Sequence, residues 1–89
     1  MILCICDYGE VRSVAMRNVL RKKGYCSESL DTEEEYFLKK LMAYKPQRII
    51  WMNEGSPSHK GWIGRDEWGN PNNKSLIKIC EDKAKELGL

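Results

Sequence analysis

The chain contains 89 residues, 42% hydrophobic and 31% charged, and its 15 basic and 13 acidic residues give a formal net charge of +2 at pH 7. This length predicts a single domain over residues 1–89, near the lower limit for a chain that folds on its own hydrophobic core. The small net charge, with both signs interleaved, argues against nucleic-acid binding. The lack of a long apolar run or a signal-peptide pattern predicts a cytoplasmic protein that does not enter the membrane.

The first predicted elements are a strand, a helix and a second strand. Residues 2–5 form an apolar run short enough for a buried strand. An amphipathic helix follows over residues 13–23, and Gly24 occupies the usual position just after a helix. Residues 25–28 are a candidate for a short second strand.

A second helix is predicted from a local start signal and a local stop signal. Thr32 and Glu35 form a capping-box pattern, and Pro46 ends the helix, which extends to about Tyr44. We expect its apolar side to face the protein core. That side consists of Tyr36, Phe37, Leu38, Leu41 and Met42.

The remaining elements complete an alternating pattern. Residues 48–52 are a continuous apolar run typical of a buried parallel strand, residues 53–72 form a long loop, and residues 73–87 form an amphipathic helix. This order predicts an α/β fold, a three-layer α/β/α arrangement around a small parallel sheet of three or four strands in flavodoxin-like order. In such sheets the ligand site lies beyond the carboxyl ends of the strands.

The four cysteines are not expected to form disulfides. Cys4 and Cys6 lie on one face of one strand, which is a poor geometry for bridging each other. Cys26 and Cys80 fall in a predicted strand and a predicted helix, where a small buried hydrophobic side chain is the expected role. No pair of cysteines has the spacing typical of zinc ligands, so we predict no metal site.

The turn after the first strand has the residue types needed to attack phosphorus. Cys6 ends the strand, Arg12 begins the helix, and Ser13 follows it. Backbone N–H groups at a helix N-terminus and a guanidinium bind phosphate oxygens well. The same positive field favours the thiolate form of a nearby cysteine, which is a nucleophile. Ser13 is placed to hydrogen-bond the sulfur. We therefore predict a phosphate-binding loop after the first strand.

Residues 6–13 match the pattern of a cysteine, five residues, an arginine and a serine or threonine. This signature, so close to the N-terminus, resembles the low-molecular-weight protein tyrosine phosphatases. The resemblance implies that Cys6 is the nucleophile and that Arg12 stabilises the transferred phosphoryl group. It also implies that the rest of the loop binds substrate, namely Asp7, Tyr8, Gly9, Glu10, Val11 and Ser13.

A second match precedes the last helix. Members of this family carry an aspartate there, commonly followed by proline and an aromatic residue, and this chain has Asp66, Glu67 and Trp68. The resemblance implies that Asp66 protonates the leaving oxygen and then acts as a base toward water, with Glu67 as the rival acid. Trp68 would form an aromatic wall suited to an aryl phosphate.

The sequence also departs from the family in several ways. It is much shorter than typical members, and Gly9 lies one position later than the loop glycine of the small enzymes. Val11 replaces a second loop cysteine. Asp7 and Glu10 place carboxylates near an anion site, which weakens dianion binding unless their side chains point away.

The predicted function is therefore hydrolysis of a phosphorylated substrate, a protein or a small aryl phosphate, through a phosphocysteine and without a cofactor. One alternative is a phosphocysteine carrier similar to the sugar-transport IIB proteins, which usually lack the arginine at the position of Arg12. Another is a non-catalytic anion-binding module. Arsenate reduction is disfavoured because no relay of cysteines is evident near the loop.

Overall fold

The computed structural model describes residues 1–6, 11–33, 35–52 and 70–89. Strands and helices alternate along these residues as predicted. The strands are β1 (Ile2–Cys6), β2 (Ser27–Asp31) and β3 (Arg48–Trp51), and the helices are α1 (Arg12–Lys22), α2 (Phe37–Tyr44) and α3 (Lys74–Glu86). The protein is thus an α/β protein, which confirms the predicted class.

The three strands form one parallel sheet in the order β2-β1-β3. The central strand, β1, is buried along its whole length, as expected for an apolar strand with neighbours on both sides. Two backbone bonds extend the pairing just past the strands: Thr32 N–H donates to Cys6 O at 3.1 Å, and Met52 N–H donates to Ile5 O at 2.7 Å. The carboxyl ends of all three strands therefore lie at one edge of the sheet.

Side chains of β1 alternate between two hydrophobic clusters, because successive residues of a strand point to opposite faces. The cluster on one face includes residues of α1 and α3, and the cluster on the other includes residues of α2. The first contains Ile2, Cys4, Cys6, Ala15, Met16, Val19, Leu20, Ile50, Met52, Leu76, Cys80 and Ala84. The second contains Leu3, Ile5 and Leu30, with Phe37, Leu41, Ile49 and Trp51 packed against them.

Helix α1 and strand β2 differ slightly from the predicted bounds. The helix begins one residue earlier than expected, and Gly24 follows it with φ +94°, a conformation that glycine adopts without strain. Strand β2 lies later than residues 25–28. Cys26 precedes it and only its carbonyl joins the sheet, accepting the Ile2 N–H at 2.9 Å. The prediction that Cys26 is buried is wrong, because its side chain is exposed.

Helix α2 is shorter than predicted, and the capping-box prediction is wrong. Thr32 lies in a turn rather than at a helix start, because Asp31 Oδ1 accepts the Glu33 N–H at 2.7 Å and holds the chain in a turn. The helix begins at Phe37 without a side-chain cap from Tyr36. Of the predicted apolar side, only Phe37 and Leu41 pack on the core, while Tyr36, Leu38 and Met42 are exposed.

Helix α3 has the predicted start and the predicted buried side. Asn73 caps it, with Oδ1 accepting N–H groups of Ser75 at 2.9 Å and Leu76 at 3.2 Å. Its buried residues Leu76, Cys80 and Ala84 recur every four positions and face α1 and β1. Within the described residues, no helix has the length and apolar character needed to cross a bilayer.

Candidate functional site

Cys6 is the last residue of the central strand. Its carbonyl is held by the Thr32 N–H, and its side chain points toward α1, where it joins the cluster around Met16 and Met52. The residue is only 3% exposed.

Arg12 and Ser13 form the first turn of α1. Val11 precedes the helix and provides no side-chain cap, and the first helical bond runs from Ala15 N–H to Val11 O at 2.9 Å. The N–H groups of this turn lack acceptors within an α-helix, so they favour a negative charge nearby. Arg12 is 2% exposed and Ser13 is fully buried. A guanidinium is rarely buried unless it has partners, so its position in the interior points to a specific role.

The structure brings Cys6 and Ser13 into direct contact. The thiol of Cys6 donates to Ser13 Oγ over 3.1 Å, inside the protein. The bond joins the end of β1 to the start of α1. When the sulfur is a thiolate, the same hydroxyl becomes the donor, so the contact serves both protonation states. This pair was predicted from the sequence.

The other buried cysteines are held as neutral thiols. Burial raises the pKa of Cys4 to about 11, although a hydrogen bond with Ser27 over 3.7 Å opposes the shift. Burial also raises the pKa of Cys80 to about 12, with Cys4 and Glu81 adding to the effect. Neither thiol forms a nucleophilic thiolate at neutral pH. All four cysteines of the chain are free, and Cys26 alone among them is exposed.

Several predicted site residues lie outside the described residues. They are Asp7, Tyr8, Gly9 and Glu10 of the loop, and Asp66, Glu67 and Trp68 before the last helix. Their roles stay predictions.

One residue at this edge was missed by the sequence reasoning. The pairing of β1 with β2 places Asp31 directly beside Cys6. The predicted second strand ended three residues too early to show this neighbour. The sequence carries no clear signal for this neighbour, because Glu28 between Ser27 and Ser29 is also polar.

The depressions on the described surface include two that can be placed relative to the site. One of about 570 Å³ begins at Thr32, next to the carboxyl end of β2, and includes Tyr36, Leu38 and Lys39 in its lining. Another of about 450 Å³ lies between α1 and α3 and contains none of Cys6, Arg12 and Ser13. In the part of the chain that the structure describes, no group of three or more His, Cys, Asp or Glu side chains is arranged to hold a metal ion.

Comparison of the chain with protein-family models, with curated proteins and with solved structures found no match.

Proposed function

We propose that the protein is a small cysteine-dependent phosphatase, similar to the low-molecular-weight protein tyrosine phosphatases. It would hydrolyse phosphomonoesters such as phosphotyrosine or other aryl phosphates through a phosphocysteine. The observation that carries the proposal is the 3.1 Å contact between Cys6 Sγ and Ser13 Oγ, with buried Arg12 adjacent to Ser13. A sulfur at the end of β1 thus contacts a hydroxyl at the start of α1, and a buried guanidinium precedes that hydroxyl in the sequence.

The first chemical step forms a bond between sulfur and phosphorus. The Cys6 thiolate attacks the phosphorus atom, the bond from phosphorus to the ester oxygen breaks, and that oxygen takes a proton from an acid. Arg12 and the N–H groups of the first α1 turn hold the phosphoryl oxygens. Asp66 is the acid that the sequence pattern suggests, with Trp68 beside the aryl group.

The second step returns the enzyme to its starting state. Water attacks phosphorus and gives a proton to the carboxylate left by the first step, the sulfur–phosphorus bond breaks, and inorganic phosphate departs. Ser13 then donates its hydrogen bond to the departing Cys6 thiolate and stabilises its charge. The scheme requires no metal and no organic cofactor.

The strand order supports this proposal. The order β2-β1-β3 equals the first three strands of a flavodoxin-like sheet, and β1 has hydrophobic clusters on both faces. We propose that the fold is a three-layer α/β/α arrangement with a phosphate-binding loop over residues 7–11. The site would then lie where ligands bind in such sheets, beyond the carboxyl end of the central strand.

The burial of Arg12 favours a phosphatase over a phosphocysteine carrier. A carrier needs a cysteine that accepts and returns a phosphoryl group, but it needs neither an acid nor an arginine at this position. A buried guanidinium beside Ser13 has the planar geometry that binds two oxygens of a phosphoryl group at once. A non-catalytic anion-binding module shares this feature and differs only in lacking turnover.

The test is hydrolysis of p-nitrophenyl phosphate at mildly acidic pH by the wild-type protein and by Cys6→Ser. We expect steady turnover by the wild type and none by the variant. A matched control is Cys26→Ser, which changes an exposed cysteine and should keep full activity. Hydrolysis that persists in Cys6→Ser, or no hydrolysis by the wild type, contradicts the proposal. Phosphoryl transfer without hydrolysis would indicate the carrier.

A further inference from the structure

We propose that the exposed side of helix α2 is a self-association surface, on which a second copy of this chain packs antiparallel to the first. The basis is that α2 has two apolar stripes, of which the protein core covers only one. The surface lies on the face of the sheet opposite to the Cys6 side chain, so the inference does not depend on the proposed phosphatase function.

The two apolar stripes run side by side along the helix. Phe37 and Leu41, four residues apart, pack against the hydrophobic cluster on this face of the sheet. Leu38 and Met42 have the same spacing one position later, and they are 69% and 75% exposed. Since no residue of α2 is buried, the helix is packed on one side only. Leu38 and Met42 thus form an apolar stripe that is open to a partner.

A depression lies at the start of α2, next to this stripe. Its volume is about 570 Å³, and its lining includes Glu35, Leu38 and Lys39. Met42 follows Leu38 by about one helical turn and projects into solvent from the same side of α2. One end of the exposed stripe therefore has a recess, and the other end has a projecting side chain.

A two-fold axis fits these features to each other. In an isologous dimer both copies contribute the same patch, so a recess and a projection on one copy meet their counterparts on the other. With the axis midway between Leu38 and Met42, the two α2 helices run antiparallel, and Met42 of each copy faces Leu38 and the recess of the other. Antiparallel helices also place opposite ends of their dipoles next to each other.

The charges at the two ends of α2 have the signs that this arrangement requires. Glu35 precedes the helix and Lys45 follows it, and both are exposed. Among the described residues, neither of them forms an ion pair. Because the two residues are equally far in sequence from the midpoint of the stripe, the same axis brings Glu35 of each copy toward Lys45 of the other. The charge pattern is complementary to itself, which points to a second copy of this chain as the partner.

The experiment is sedimentation equilibrium of the full chain. A face built on one short helix predicts a weak dimer, with a Kd between about 1 µM and 1 mM. Met42→Glu places a carboxylate in the recess of each copy and should raise this Kd about 10-fold or more. Tyr25→Glu is the matched control, since it replaces an exposed aromatic residue between α1 and β2, and it should leave the Kd unchanged. Circular dichroism checks that both variants are folded.

Charge reversal tests the antiparallel arrangement. Glu35→Lys and Lys45→Glu should each raise the Kd about 10-fold, because each substitution sets like charges against each other at both ends of the interface. An equimolar mixture of the two variants should dimerise like the wild type, since one chain then has lysine and the other has glutamate at both positions. The double variant should recover in the same way.

Three outcomes would overturn the proposal. The first is a wild-type chain that is still monomeric at about 1 mM. The second is a dimer whose Kd is changed equally by Met42→Glu and Tyr25→Glu, or by neither. The third is weakening by both charge variants without recovery in their mixture. Hydrolysis of p-nitrophenyl phosphate, or its absence, bears only on the proposed phosphatase function and not on this surface.

Discussion

Ser13 reaches back from the first turn of α1 to lie 3.1 Å from the sulfur of Cys6, and both side chains are buried. A strand end and a helix start are thereby tied together through one hydroxyl and one thiol. The proposed function would use this hydroxyl to stabilise the sulfur when it leaves phosphorus.

The first prediction concerns Ser13→Ala. Removing the hydroxyl takes away the donor that stabilises the Cys6 thiolate as it leaves, so we expect kcat for p-nitrophenyl phosphate to fall about 10-fold, the order of one charge-assisted hydrogen bond. The loss should appear in the release of phosphate rather than in the initial burst of p-nitrophenol. Rapid-mixing kinetics separate the two phases.

Ser29→Ala is the matched control for Ser13→Ala. This serine also lies on the α1 face of the sheet, but its partner is Arg17. We expect unchanged burst and steady rates. Equal losses in the two variants would show that the effect of Ser13 is one of general packing.

The second prediction concerns Arg12. Lysine keeps the charge but loses the planar fork that binds two oxygens, so Arg12→Lys should weaken inhibition by inorganic phosphate about 10-fold or more. Arg17→Lys changes a half-buried arginine of the same helix and should leave the inhibition constant unchanged. If Arg12→Lys binds phosphate as tightly as the wild type, the guanidinium does not contact the ligand.

The third prediction uses thiol alkylation and needs no turnover. In a Cys26→Ser background, which removes the exposed thiol, iodoacetate should modify Cys6 in the folded protein while Cys4 and Cys80 stay unmodified. The reason is that burial raises the pKa of Cys4 to about 11 and that of Cys80 to about 12. Inorganic phosphate should slow the modification of Cys6, as mass spectrometry of peptides would show.

Slow alkylation of Cys6 that phosphate does not alter would contradict an anion site at this sulfur. Modification of all three remaining cysteines at one rate would instead indicate global unfolding, and the measurement is then repeated at lower temperature. Arg12→Ala is the paired variant, in which protection by phosphate should disappear.

The spacing of apolar residues in the sequence correctly predicted the helices and strands whose buried residues follow a simple repeat. The apolar run of β1 and the four-residue spacing of Leu76, Cys80 and Ala84 in α3 were sufficient to place both elements. The predicted position of strand β2 was too early in the chain. The sequence of this strand is mostly polar, so its position is set by hydrogen bonds to β1 rather than by its own residues. The predicted start of helix α2 was too early. The Asp31 side chain accepts the Glu33 N–H and holds the chain in a turn where the helix cap was predicted.

In the candidate site, too, contacts between residues close in sequence could be predicted, whereas contacts that depend on strand pairing could not. Cys6, Arg12 and Ser13 lie within eight consecutive residues of the sequence, so their spacing predicts that they meet, and the structure shows this contact for Cys6 and Ser13. The neighbour relation of Cys6 and Asp31 depends on strand register, which no local spacing encodes. The family pattern suggests an acid only before the last helix, at Asp66 or Glu67, and both lie outside the described residues.

The last prediction concerns stability at alkaline pH. The pKa of Cys4 is raised from 9.0 to about 11 and that of Cys80 from 9.0 to about 12, in both cases mainly by burial. Unfolding returns each thiol to water, where it ionises more easily. The stabilising contribution is therefore complete below pH 9 and is lost as the pH rises toward 11 and 12, which for Cys4 amounts to about 2 to 3 kcal/mol.

Cys80→Ala separates this effect from the ionisation of lysine and tyrosine residues in the same pH range. The variant should be less stable than the wild type near pH 7, by about 1 kcal/mol for the lost packing, and should lose less stability between pH 9 and 11. Cys26→Ala, whose thiol is exposed to solvent, should follow the wild-type slope. Urea unfolding at a series of pH values measures these slopes, and parallel curves for Cys80→Ala and the wild type would show that this thiol is equally easy to ionise in the folded and unfolded protein.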